Sequence, residues 1–115
     1  MSVRVIVGIG NREVRASMFL ALDSIEALRI VGSATSAAEV VTLCRTLHPD
    51  VAIVEEGLSG WALPDLLAAI VAPAWSGTLL LLSQDDVTEV VEEYDNVHLL
   101  HGIEQIASII ESESA

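Results

Sequence analysis

Pro49-Asp-Val-Ala-Ile-Val-Glu-Glu-Gly-Leu-Ser-Gly60 is the stretch whose reading decides the fold. Val51 to Val54 is a short β-branched apolar run. Such a run suits a central strand covered on both faces. It stops at two carboxylates, Glu55 and Glu56, followed by a loop that ends at Gly60. Open α/β sheets bind ligands beyond the carboxyl ends of their strands, so Glu55 stands where chemistry is expected.

Working outward, strands and helices alternate on both sides. Val3 to Val7 is expected as the first strand, and Gly8 to Asn11 as a loop. Asn11 should cap a helix from Arg12 to Leu22, with Val14, Met18, Phe19 and Leu22 facing the core. Leu28 to Gly32 is the second strand. Ser36, with Glu39 three residues on, forms a capping box for a helix reaching Leu47. Its apolar stripe is Val40, Val41, Cys44 and Leu47. Beyond the third strand, helices are expected over Leu63–Val71 and Asp86–Tyr94, and a last one from Gly102 or Ile103 to Glu111. Strands are expected at Thr78–Ser83 and Val97–Leu100. Five βα units imply a three-layer, doubly wound parallel sheet of flavodoxin-like order 2-1-3-4-5. Residues 1–111 form one domain, and Ser112 to Ala115 a frayed tail or the start of a linker.

Composition narrows the function classes. The chain has 115 residues, enough for one core, and a single cysteine, which rules out an intrachain disulfide. Cys44, inside an apolar helix pattern, reads as a buried inert thiol. No signal peptide opens the chain, and the longest apolar run, Thr78 to Leu82, is far too short to cross a bilayer, so a cytoplasmic location is expected. Lysine is absent, and all five arginines precede residue 46. Residues 1–54 balance to zero, so the net charge of −12 belongs to residues 55–115. That half repels phosphate backbones and anionic membranes, which argues against nucleic-acid and membrane partners. It reads either as a solvated face or as a docking face for a basic partner.

Four segments resemble the receiver domain of bacterial response regulators over nearly the whole chain. They are Val3–Arg15, Leu28–Glu39, Leu47–Glu55 and Leu79–Asp86. The Val-Gly-Ser-Ala exit of the second and the His-Pro-Asp lead-in of the third are the distinctive ones. The resemblance implies a magnesium site built from an acidic pair after the first strand and an aspartate after the third. That aspartate accepts a phosphoryl group, which a Ser or Thr after the fourth strand and a Lys after the fifth hold.

The chain departs from that pattern at most of these positions. Ile9 and Gly10 replace the acidic pair, and Glu55 replaces the phospho-acceptor. Its extra methylene moves the carboxylate by roughly an ångström, enough to spoil in-line geometry. His101 falls at the lysine position and His98 near the aromatic switch position, while Ser83 alone keeps its type. Glu55 reads either as a fixed charge imitating the phosphorylated state, accepting a hydrogen bond from Ser83, or as drift after phosphotransfer was lost. Gly8-Ile-Gly10 lacks the third glycine of a dinucleotide fingerprint and carries Glu13 in its place. The three histidines have no chelating spacing. Trp61 reads as loop packing or a partner anchor, and Trp75 as cover for the bottom of the sheet.

These readings converge on a non-catalytic, atypical receiver with no metal and no cofactor. It would act without phosphorylation as a regulatory interaction or dimerisation module, at the front of a larger response regulator or of a pilus-assembly or septum-site ATPase. The expected interaction face holds Asp85, Asp86, Glu89, Glu92, Glu93 and Asp95. It would take a protein partner or a second copy. The alternatives are an active phosphorelay receiver with relocated chemistry, and a small-molecule sensor using the vacated pocket.

Overall fold

The computed structural model describes residues 3–26, 28–55, 65, 68–69, 77–82 and 97–100. Five strands form one parallel sheet: β1 (Val3–Gly8), β2 (Leu28–Ala34), β3 (Val51–Glu55), β4 (Thr78–Leu82) and β5 (Val97–Leu100). Their order is β2-β1-β3-β4-β5, as the alternation of elements predicts. Two helices are described in full, α1 (Arg12–Asp23) and α2 (Ala37–Leu47), and they cover opposite faces.

Side-chain alternation along the strands divides the core. On the α1 side, Val5, Val7, Ile53, Leu80 and Leu100 pack against Met18 and Leu22, with Val14 and Phe19 at the margin. On the α2 side, Ile6, Ala52, Val54, Leu79, Leu81 and Val97 pack against Ala37, Val40, Val41 and Cys44. Both expected helix stripes therefore face the sheet, and Leu47 packs at the edge of its cluster. The uninterrupted apolar strands follow from this double coverage. Burial in the α2 cluster pushes the Cys44 thiol up to about 12.

Capping residues start both helices. Asn11 Oδ1 accepts from the N–H groups of Glu13 (2.9 Å) and Val14 (3.1 Å). Ser36 Oγ accepts from Glu39 N–H at 3.3 Å, but only half of the expected capping box forms. The Glu39 carboxylate accepts from the hydroxyls of Thr35 and Ser36 and from Thr35 N–H. α2 ends on His48, which takes the left-handed conformation (φ 46°), and Pro49 then prevents continuation.

Three strands run further than expected. β1 reaches Gly8, which pairs with Ala34 and Val54, so β2 extends past Gly32 to Ala34. The extension of β2 follows a β-bulge. Val5 pairs with Ile30 but Ile6 with Gly32, leaving Val31 extra. Gly32 fits there because a Cβ would lie 3.3 Å from the Leu43 and Leu47 methyls of α2. β3 includes Glu55, which pairs with Leu82. α1 also runs one residue beyond Leu22, to Asp23. Asp65, Ala68 and Ala69 are helical, inside the expected third helix. Most of that helix, the two expected after it, and Trp61 and Trp75 lie outside the described residues.

At the amino edge, Asp50 ties the central strands together. Its carboxylate accepts from Arg4 N–H at 2.8 Å. Its own N–H donates to Arg4 O, and its carbonyl accepts from Thr78 N–H. This is the physical content of the Pro-Asp lead-in to β3.

Candidate functional site

The candidate site lies at the carboxyl edge of the sheet, where β1 and β3 end side by side. Gly8 pairs with Val54, so Ile9 and Glu55 are the next residues of adjacent strands. Val54 packs on the α2 side and Ile53 on the α1 side. Alternation therefore directs Glu55 to the α1 side, the side on which Ile9 also packs.

Ile9 is 0% exposed and belongs to the core cluster with Val7, Met18 and Leu22. Its N–H donates to Ala34 O at 3.1 Å, which continues the β1–β2 ladder past the end of the strand. Gly10 is exposed. Glu55 is half-buried, and its carboxylate has no hydrogen-bond partner among the described residues. His98 is exposed on β5, opposite Leu80. Ser83 and His101 lie outside the described residues, as do Asp85, Asp86, Glu89, Glu92, Glu93 and Asp95.

Arg15 completes this edge. It is half-buried, and its Nη1 donates to Ile9 O at 3.2 Å. The guanidinium thus sits over the end of β1, on the side to which Glu55 is directed. Sequence reasoning assigned Arg15 no role. The available signal was its spacing: Arg15, Phe19 and Leu22 follow one another at helical intervals, so Arg15 borders the apolar stripe and points toward the sheet.

This edge does not fit the magnesium ion that the resemblance implies. A hard divalent cation needs several oxygen ligands converging on it. Ile9 supplies a buried alkyl chain, Gly10 has no side chain, and Arg15 brings positive charge to the same strand end. Among the described residues no three His, Cys, Asp or Glu side chains converge on a point where a metal could sit.

Among the described residues no helix is long and apolar enough to cross a membrane. No protein-family model matches the chain, and no curated protein is significantly similar to it in sequence. Solved structures are similar in fold. The signal receiver domain of the response regulator NarL from Mycobacterium tuberculosis superposes with a TM-score of 0.83 at 23% identity, over 99% of this chain and 98% of that one. The response regulator domain of Thermotoga maritima CheB gives 0.78 at 20%, over 99% and 95%. A DNA-binding response regulator of the LuxR family from Staphylococcus aureus gives 0.84 at 15%, over 98% and 99%. The chain therefore has the fold of response-regulator receiver domains.

Proposed function

We propose that this protein is an atypical receiver that regulates by binding other proteins, without metal and without phosphotransfer. The observation that carries this reading is the chemistry at the end of β1. A magnesium-dependent receiver needs oxygen ligands there, and this chain has a core isoleucine bracketed by a glycine and an arginine-held carbonyl. Refilling that position with carboxylates would mean opening the α1-side core. Glu55 ends β3 on the same side of the sheet as Arg15, so a carboxylate and a guanidinium stand at this edge where the resemblance calls for a metal and a phospho-acceptor. Output then passes through protein contacts, with the acidic segment Asp85–Asp95 as the surface for a basic partner. Such a module suits the front of a larger response regulator or of a pilus-assembly or septum-site ATPase in bacterial signal transduction.

The test is incubation with magnesium and a small phosphodonor such as acetyl phosphate, followed by intact mass spectrometry. The expected spectrum is unchanged. A stoichiometric phosphoryl adduct would instead establish an active receiver with relocated chemistry.

A further inference from the structure

We infer that the free edge of β2 is a self-association surface, on which a second copy of this chain pairs its own β2 antiparallel about a two-fold axis. β2 is the outermost strand, and among the described residues no strand lies on its outer side. An edge strand presents a row of unpaired N–H and C=O groups, a template for another strand. Beside this edge lies an open groove of about 270 Å³ lined by Ser33 of β2 and by Ala38, Glu39, Thr42 and Leu43 of α2.

The charges make the edge self-complementary. Leu28 and Ile30 pack on the α1 side, so Arg29 between them projects to the α2 side. It is exposed there, level with Arg4 of β1. Two cations side by side across a ladder repel. Arg4 is engaged with the His48 carbonyl at 3.3 Å, whereas Arg29 has no partner among the described residues. In an isologous antiparallel pair centred on Val31, each Arg29 lies on the α2 side beside the Ser33–Ala34 end of the other copy's β2. That places it at the mouth of the groove in which Glu39 stands. Two Arg29–Glu39 pairs then flank a central Val31–Val31 contact.

A second copy fits this edge better than it fits the acidic half. Residues 1–54 supply β2, β1, α1, α2 and most of β3, and they balance to zero charge. Residues 55–115 carry the whole −12, and copies meeting through that half would repel. The bulge at Val31 limits regular pairing to short runs on either side of it. The association is therefore weak and concentration-dependent. The inference is independent of the phosphotransfer reading, and a phosphoryl adduct would leave it standing.

The test is sedimentation equilibrium of the full chain in about 0.15 M salt, where the Debye length is about 8 Å and repulsion between the acidic halves is damped. The wild type should show dimer mass growing with concentration. Arg29→Glu and Glu39→Arg should each be monomeric, because each creates two like-charge contacts. An equimolar mixture of the two should dimerise again, since every contact is then opposite in sign. Thermal unfolding confirms that each variant is folded. A second readout does not depend on charge. Val31→Cys should oxidise to a disulfide-linked dimer, because directly opposed residues bring their Cα atoms within disulfide range. Ser17→Cys, exposed on α1, should not. A monomer at every concentration overturns the inference. So does a dimer indifferent to both charge variants, a mixture that stays monomeric, or a Val31→Cys protein that does not cross-link.

Discussion

Replacing Ile9 with alanine tests whether the end of β1 has become core. Ile9 is 0% exposed and sits in the cluster with Val5, Val7, Met18 and Leu22. The substitution removes buried alkyl groups from a packed site held by the Ile9 N–H bond to Ala34 and the Arg15 bond to the Ile9 carbonyl. Those backbone ties limit collapse around the hole, so the cost should lie within the usual 2–5 kcal/mol for such a truncation, at about 3 kcal/mol. Unfolding entropy near 2.1 cal/mol/K per residue over 115 residues converts this to a fall in Tm of about 12 °C. The assay is thermal unfolding followed by far-UV circular dichroism, with urea denaturation to obtain the free energy. Leu20→Ala is the control: Leu20 is 76% exposed on α1, so its loss should cost less than about 0.5 kcal/mol. If the Ile9 variant matches this control, Ile9 is not part of the core. The case for a filled-in metal edge then fails with it.

Asp50→Ala should destabilise the protein by about 1–2 kcal/mol, since it removes the carboxylate that accepts Arg4 N–H across the amino edge. Asp50→Asn keeps an acceptor oxygen and should recover part of that loss in the same urea titration. Cys44 is an acid whose pKa is raised by burial, from 9.0 to about 12. The native state then keeps its proton where the unfolded state loses it. Its contribution to stability is complete below pH 9 and is lost as pH rises toward about 12. The slope of unfolding free energy between pH 9 and 10.5 should be more negative for the wild type than for Cys44→Ala, and equal slopes would contradict the burial.

Strand identity and order were legible because each strand is a short apolar run between helical patterns, and α1 and α2 carry caps readable in Asn11 and Ser36. The same patterns fixed the buried faces of both helices. The bulge at Val31 was not legible. Leu28 to Ala34 looks continuous, and the extra residue exists only relative to β1. Nor was the packing of Ile9 legible, because an isolated isoleucine after a strand fits a loop or a core equally well. Its burial depends on the bond to Ala34, which a periodicity argument cannot supply. Arg15 was missed for a related reason. A cation near a helix start reads as solvated, and its anchor is a backbone carbonyl that no side-chain motif records. The left-handed turn at His48 follows from a helix that must stop before Pro49, yet residues other than glycine rarely announce it.

Sheet order turns a fact about sequence into one about space. The neutral half of the chain supplies β2 and β1, and the acidic half supplies β4, β5 and the segment between them. At about 4.8 Å per strand, β2 and β5 are roughly 19 Å apart, more than twice the Debye length of about 8 Å at physiological ionic strength. The two edge strands are therefore electrostatically separate at that ionic strength. The two proposed contacts also respond oppositely to salt. Contact between a basic partner and Asp85–Asp95 is attractive, so added salt weakens it. Pairing of two β2 edges is opposed by repulsion between the remote acidic halves, so raising salt from low values strengthens it until its own Arg29–Glu39 pairs are screened. A single salt titration that monitors both masses thus separates the two surfaces without a mutation. If both contacts moved in the same direction at low salt, the repulsion assigned to the β2 pairing would be refuted.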